Sequence, residues 1–523
     1  MKRLMTLLLA VSAGLKCYAQ APELQWQRAS GGNGNDYAYS LRQTRDSGFI
    51  VAGFSNSYDG DITTARGGDD YWVQKTNDTG AIVWQKTYGG GQTDNAKSVR
   101  QTTDGGYIIA GFTNSTDGQV TGNHGTYDYW VVKTDDTGGI VWQKCYGGSG
   151  WDQANDIQQT TDGGYIVAGY SRSADGQVTG HHGLASFADF WVVKINDTGA
   201  IEWQQSFGGA DADMATSVIE TSDGSFTVAG YTLSHDGDIT SYRGQNDYWL
   251  LNISAAGALR WQKNYGGINH DNATKVLQTN DGGYVVSGYT ASSDGDVTGF
   301  HGLSDVWIVK TDDTGALLWQ KTFGGSALDQ AHAIFQTADS GYVIAGFTNS
   351  HDGDVAGIHG TSTMQDYWVA KLSDTGALQW QKCLGGTGVE YGFDIVPTFD
   401  SGYAVAGMAS SGDGDVTGLH FVNDFWLVKL KDTVSVSLLA QNSNILPLKG
   451  IRFLPNPTND LVKISGISCT PAFMRIYNAF GQIVAFSQNS AYCSLSSLPA
   501  GVYIVRAFGA GDELISQGKI IKQ

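Results

Sequence analysis

Short apolar runs, each about seven residues long and bounded by glycine, aspartate or threonine, organise most of this chain. One stretch shows the pattern. Residues 96–102 (AKSVRQT) form a first strand, TDGG turns the chain into YIIAGFT at 107–113, a long loop leads to DYWVVKT at 128–134, and DDTG turns it into IVWQKCY at 140–146. Asp-Gly and Thr-Gly pairs between apolar runs are hairpin signals, because glycine supplies the positive φ that such turns need. The second and third strands are apolar on both faces, so both faces are covered.

The unit recurs. Trp-Gln begins at 26, 84, 142, 203, 261, 319 and 380, a period of 58 residues with two of 61. A second tryptophan, two residues after a strand-opening aspartate, falls at 72, 130, 191, 249, 307, 368 and 426. Seven four-stranded antiparallel units buried on both faces predict an all-β fold, a seven-bladed β-propeller. The ends support a closed ring. ELQWQ at 23–27 has no blade before it, and the last blade, near 390–430, has three strands and then the spoiled turn KDTV. Residues 23–28 are expected to supply the missing outer strand, which leaves no open blade end. Of the 15 tryptophans, only Trp151 lies off the two repeat positions. Burying an aromatic of about 200 Å² is worth up to ~5 kcal/mol, so packing between blades accounts for the repeated ones and Trp151 is left as a candidate for surface recognition.

Composition fits short strands and tight turns: 523 residues with 71 glycines and 7 prolines. Charge divides the chain. Residues 1–20 hold three basic and no acidic residues and 447–523 hold seven basic and three acidic, which leaves 22 basic and 48 acidic residues between them, a net of −26. Such a body repels nucleic acid and anionic lipid and suits divalent cations better. MKRLMTLLLAVSAGLKCYAQ reads as a secretory signal peptide, with Lys2 and Arg3 before an apolar stretch from Leu4 to Leu15 and cleavage after Ala19. A lipid anchor on Cys17 would follow Lys16, a poor context. No other stretch approaches the roughly 18 apolar residues of a membrane helix, so no transmembrane segment is expected. Cys145 and Cys383 share one repeat position and are expected to be unpaired, whereas Cys469 and Cys493 could bridge in an oxidising compartment.

After a polar linker the 58-residue phrases vanish, and FLPNPTND (453–460), MRIYNAFGQIV (474–484), LPAGVYIVR (498–506) and KIIKQ (519–523) follow in order. These read as strands joined by Pro-Asn, Asn-Ala-Phe-Gly and Pro-Ala-Gly turns, a small antiparallel β-sandwich. The expected organisation is a signal peptide at 1–19, the propeller at 20–430, a linker at 431–449 and the C-terminal domain at 450–523. The four C-terminal motifs resemble the sorting domain of type IX secretion substrates. The resemblance implies contact with the type IX secretion machinery, passage across the outer membrane, removal of the domain, and release or attachment at the cell surface. Residues 23–430 resemble the β-propeller repeats of large secreted bacterial proteins, a likeness that implies no defined activity.

One phrase carries candidate chemistry. In SSDGDVTGFHGLSDVWIVK (292–310), counted from Asp294, Asp296 is third, Thr298 fifth, Gly299 sixth and Asp305 twelfth. An EF-hand loop places oxygen ligands at one, three, five and twelve with glycine at six, so calcium is a candidate ion. Blade seven repeats this with Asp413, Asp415, Thr417 and Asp424. Blades one and four keep the oxygens as Asp59, Asp61, Thr63, Asp70 and Asp236, Asp238, Thr240, Asp247, with Thr64 and Ser241 at six. Blades two and three have Gln119 and Gln177 at three, and three-residue insertions in blades three and six delay the last aspartate. Against calcium, strands rather than helices flank the loop, and Asx-turns alone favour Asp-Gly here. His124, His182, His301, His359 and His420 share one repeat position with Arg66 and Arg243, the pattern of a loop-bracing donor; Asp36, Asp94, Asp152, Asp213, Asp271, Asp329 and Glu390 share another. His270 and His332 lie off the pattern without an evident acidic or nucleophilic partner. No nucleophile–base set and no histidine cluster stands outside the repeat. The expectation is a non-catalytic exported propeller that binds a glycan or protein, with the loops at 184–189 and 361–366 as the place for ligand. The alternatives are a polysaccharide hydrolase or lyase and a structural surface-layer component.

Overall fold

Seven antiparallel sheets of four strands each follow one another, and their first strands neighbour one another in a closed circuit. The computed structural model describes residues 20–361 and 363–431, and within 452–522 seven strands with the neighbouring Leu495 and Leu498. Residues 1–19, expected to be a signal peptide and including Cys17, residues 432–449 of the expected linker, and Cys469 lie outside the described residues, and with Cys469 the expected Cys469–Cys493 pairing.

Six blades run from an inner strand to an outer one in chain order, and the seventh takes its outer strand from the N-terminal end of the ring. Blade two consists of Asp94–Gln101, Tyr107–Thr113, Asp128–Thr134 and Ile140–Tyr146. Three of these agree with the boundaries read from the sequence. The inner strand starts two residues early because the Asp94 N–H reaches back to Asp69 O of the previous blade at 2.6 Å, and because a bulge between Ala96 and Ser98 fits an extra residue into the strand.

Closure is as expected. Glu23–Ser30 pairs antiparallel with Asp424–Lys431, from Glu23 opposite Lys431 to Ser30 opposite Phe425. Side chains treat this junction like the others. The Trp426 Nε1–H donates to Gln27 Oε1 at 2.8 Å, as Trp72 does to Gln85 at 2.7 Å and Trp130 to Gln143 at 2.8 Å. The Phe425 ring lies 4.4 Å from Trp72, as Tyr71 lies 4.5 Å from Trp130 and Tyr129 4.6 Å from Trp191. The seven third-strand tryptophans are fully buried between blades, and Tyr71, Tyr129, Tyr248 and Tyr367 donate their hydroxyls to the carbonyl of the next blade's tryptophan at 2.8–2.9 Å. A tyrosine hydroxyl buried there needs such a partner. Trp151 is half-buried, 4.4 Å from Tyr127 and 5.8 Å from Arg172, so it packs locally and does not stand free at the surface.

The C-terminal segment holds two antiparallel sheets. Arg452–Leu454, Leu461–Ser465 and Tyr492–Ser494 form one, and Ile483–Gln488, Phe473–Tyr477, Gly501–Phe508 and Leu514–Lys522 form the other. The Pro-Asn and Asn-Ala-Phe-Gly turns expected between them lie outside the described residues. No helix among the described residues is long and apolar enough to cross a membrane.

Candidate functional site

The carboxylates singled out for calcium lie in the connection between second and third strands, on one face of the ring, and they do not converge. Asp59, Asp236, Asp294 and Asp413 accept the backbone N–H of Asn33, Ala210, Ile268 and Thr387 at 2.7–2.9 Å. Asp61, Asp238, Asp296 and Asp415 accept the N–H of Gly31, Gly208, Gly266 and Gly385 at 3.1–3.3 Å. Those donors belong to the segment entering each blade from its predecessor, so the loop latches that crossover. Gln119 and Gln177 accept the matching glycine N–H at 3.2 and 3.1 Å, which shows that a neutral acceptor serves at the third position. Gly60, between Asp59 and Asp61, has φ 65°, a conformation that glycine adopts without steric cost. Thr240, Thr298 and Thr417 accept from Gln262, Gln320 and Gln27, the glutamines of the Trp-Gln phrase, while Thr63 is exposed.

The last aspartate of each loop belongs to a different arrangement. Asp70, Asp247, Asp305 and Asp424 are buried at the start of the third strand and accept the backbone N–H of Arg66, Arg243, His301 and His420 at 2.6–3.0 Å. A backbone donor explains why Arg and His both fill that position. The insertions in blades three and six leave it in place, since Asp189 and Asp366 accept the N–H of His182 and His359 at 2.6 and 2.9 Å. Among the described residues no group of three or more His, Cys, Asp or Glu is arranged to hold a metal ion.

Two carboxylates meet at every blade junction instead. A Cβ on Gly31 would stand 2.5 Å from Asp36 Oδ2 and 2.6 Å from Asp424 Oδ1, so any side chain here would have to displace one of the two carboxylates. Burial pushes Asp36 up to about 6, and at the next junction burial and the charge of Asp94 push Asp70 up to about 7. The Oδ1 atoms of Asp70, Asp128, Asp247, Asp305 and Asp424 are buried with no hydrogen-bond partner among the described residues. A carboxyl in such surroundings resists ionising.

Symmetry breaks along the central channel. The inner strands surround a cavity of about 90 Å³ lined by Tyr39, Lys97, Asn155, His332, Phe393 and their neighbours. Four of seven blades use the same position to bond the next blade: Asn155 donates to Ala215 O at 2.7 Å, Thr216 to Ala273 O at 3.0 Å, Thr274 to Ala331 O at 2.8 Å and His332 to Gly392 O at 3.0 Å. The other three blades place Phe393, Tyr39 and Lys97 there. These side chains make a stack instead. His332 lies 5.2 Å from Phe393, Phe393 lies 4.9 Å from Tyr39, and Lys97 Nζ sits 3.6 Å above the Tyr39 ring. Desolvation lowers Lys97 to about 7, partly offset by Asp69, and it lowers His332 so that the ring is neutral.

Alongside the stack is a buried charge network. Arg42 pairs with Asp394 at 2.6 Å, and Arg100 and Lys275 pair with Asp156 at 2.8 and 2.6 Å. Ser98 and Ser217 donate to the same Asp156 carboxylate at 2.9 and 3.1 Å. Burial alone would raise Asp156, but Lys275 and Arg100 hold it far below the usual carboxylate range. The sequence left this network unseen. His332 was visible as an off-pattern residue, but its partners lie about 60 positions away on other blades. His270, the other off-pattern histidine, is exposed and does not line the channel cavity.

A closed seven-bladed propeller with an asymmetric channel is the class that this geometry defines. Residues 452–523 match the family model of the secretion system C-terminal sorting domain. The protein is thus a propeller carrying a type IX sorting domain, exported to the outside of the cell and its surface, and its tail engages the secretion machinery. No curated protein matches the chain. Among solved structures it is similar to a protein from Bacteroides caccae (13% identity, 58% of this chain and 94% of that one, TM-score 0.32). It is also similar to PorZ, a surface component of the type IX system of Porphyromonas gingivalis (11% identity, 91% of this chain and 69% of that one, TM-score 0.34). A third is a fungal alcohol oxidase in complex with copper (9% identity, 96% of this chain and all of that one, TM-score 0.45). These likenesses are too distant to bear on function.

Proposed function

We propose that the ring is a non-catalytic binding module delivered to the cell surface, and that it takes a glycan or protein on its loop face, over the mouth of the channel. The observation that carries this reading is the break in the repeat along the channel wall. Where four blades spend a polar side chain on joining their neighbour, three present aromatic rings and a lysine, groups suited to holding a ligand. The chemistry of cleavage is poorly served there. Glycoside hydrolysis needs one carboxyl that can donate a proton, whereas Asp156 is held ionised by two cations and Asp394 is bound to Arg42. The cavity's serines and threonines are bonded to carboxylates and carbonyls, and none of them to His332. The loop face adds exposed apolar surface, with Tyr58 and Phe421 each 71% exposed and Leu184, in one of the inserted loops, 69%. In this reading residues 1–19 are a leader removed on export and the C-terminal domain is cut off after sorting.

A glycan array with the purified chain, followed by product analysis on every saccharide retained, tests the proposal. Retention of a saccharide class without release of smaller products is expected. Product release that disappears on substituting a channel residue would show the ring to be an enzyme.

A further inference from the structure

Charge in the channel runs against the sign of its surroundings. The cavity is lined by four basic side chains, Arg42, Lys97, Arg100 and Lys275, and by two carboxylates, Asp156 and Asp394. Both carboxylates are already engaged, by Arg42, Arg100 and Lys275. Lys97 is left over. Its ammonium makes no hydrogen bond or ion pair among the described residues and contacts only the faces of Tyr39, at 3.6 Å, and Phe112, at 5.7 Å. The closest help comes from Asp69, which acts on Lys97 through its field while accepting a hydrogen bond from Asn56 at 3.2 Å. The Tyr39 hydroxyl likewise has no protein partner among the described residues. Both residues are half-buried and share one wall of the cavity, so an unpaired cation and an unpaired hydroxyl stand together where a solvent molecule or a ligand can reach them.

Building on the binding function proposed above, we infer that this cavity takes a small oxyanion, the carboxylate of an acidic saccharide, on Lys97 and Tyr39. The volume suits it. About 90 Å³ is room for roughly three waters at ~30 Å³ each, enough for a carboxylate but too little for a whole sugar ring, which stays at the mouth. The two donors complement an anion, since an ammonium and a phenol each present a hydrogen to it. His332 does not compete. Its Nδ1–H is committed to Gly392 O, and the neutral ring leaves Nε2 as an acceptor on the far side of Phe393 from Tyr39.

Proton uptake accompanies binding. Desolvation leaves Lys97 at about 7, and an anion beside it favours the charged form. The groups facing it are Asp69, Tyr39, Arg42, Arg100, Lys275, Asp156, Asp394 and His332. Desolvation lowers His332 as it does Lys97, while Asp156 is held ionised by Lys275 and Arg100. Asp69, pushed up by burial, is the other group able to titrate, and Asp69→Asn separates its contribution.

The test is calorimetric titration of the full chain with sodium glucuronate, with sodium sulfate as a second oxyanion and glucose as the neutral control. Glucuronate is expected to bind at pH 6, sulfate to compete with it, and glucose to give no heat. Binding should weaken between pH 6 and pH 8, in wild type and in Asp69→Asn alike. Lys97→Met should lower glucuronate affinity by at least about tenfold, the loss of one charged hydrogen bond, and Lys97→Gln provides a polar variant should methionine disturb the fold. Glucose binding as tightly as glucuronate, or full affinity in both Lys97 variants, would overturn the inference. If the array selects a neutral saccharide whose retention is untouched by Lys97→Met, the oxyanion site falls while the binding function stands.

Discussion

The blade junctions and the channel wall are built from the same strands, yet they follow opposite rules. At the junctions every blade does the same thing. A glycine lies against two buried carboxylates, a loop aspartate or glutamine holds the incoming backbone, and a tryptophan indole donates to a glutamine of the outer strand. In the channel one position varies round the ring, with only threonine used twice: Tyr39, Lys97, Asn155, Thr216, Thr274, His332 and Phe393. Repetition marks what the ring needs in order to close. Departure from it marks what closure does not require, and that is where binding chemistry can be placed.

The largest effect should come from opening the ring. Deleting residues 20–30 removes the whole strand paired with Asp424–Lys431, together with Gln27 and its bond to Trp426. A fall in melting temperature of at least about 10 °C is expected, and an unchanged melting curve would refute closure by this strand. Next comes the channel network. Asp156→Ala strands Arg100 and Lys275 as buried charges and should cost about 3–5 kcal/mol by denaturant unfolding, whereas Asp415→Asn, at the third loop position where a neutral glutamine serves in two other blades, should cost about 1 kcal/mol. Equal costs would erase the distinction between the two regions.

Acidity probes the junctions. Carboxyls such as Asp36, Asp94, Asp128 and Asp305 at about 6 and Asp70, Asp213 and Asp247 at about 7 bind protons more tightly folded than unfolded, where they sit near 3.8. Their stabilising contribution is full below the unfolded value and is lost as pH rises through 6 to 7. Lys97 and His332, both lowered by desolvation, work in the opposite sense, two groups against many. Melting temperature should therefore be higher at pH 5 than at pH 8, and a flat profile across that range would mean that the junction carboxylates are otherwise neutralised. The smallest effect expected is that of calcium. Because the loop carboxylates are spent on backbone N–H groups, millimolar calcium added after chelation should produce no binding heat and no shift in melting temperature.

The repeat, the strand order and the closure by Glu23–Ser30 were legible because each rests on local signals copied seven times. The inner-strand bulge was not, since it answers to a backbone bond from the previous blade. The latching role of the loops was hidden behind their spacing. Aspartates at one, three and twelve satisfy an EF-hand spacing, but on this backbone the twelfth opens a strand and turns to Arg or His amides. The channel was hidden for the opposite reason. Lys97 and Tyr39 sit at a position whose variation looks like noise between the fixed phrases, and Asp156 meets Lys275 from 119 residues away.

The claim that binding belongs to the broken half of the channel can be tested by comparing its two halves. Affinity for the saccharide selected on the array should fall sharply in Phe393→Ala and remain at the wild-type level in Thr274→Val, each variant first shown to be folded by its melting curve. Equal losses in both, or loss in Thr274→Val alone, would contradict the assignment of the ligand to the Phe393, Tyr39 and Lys97 side.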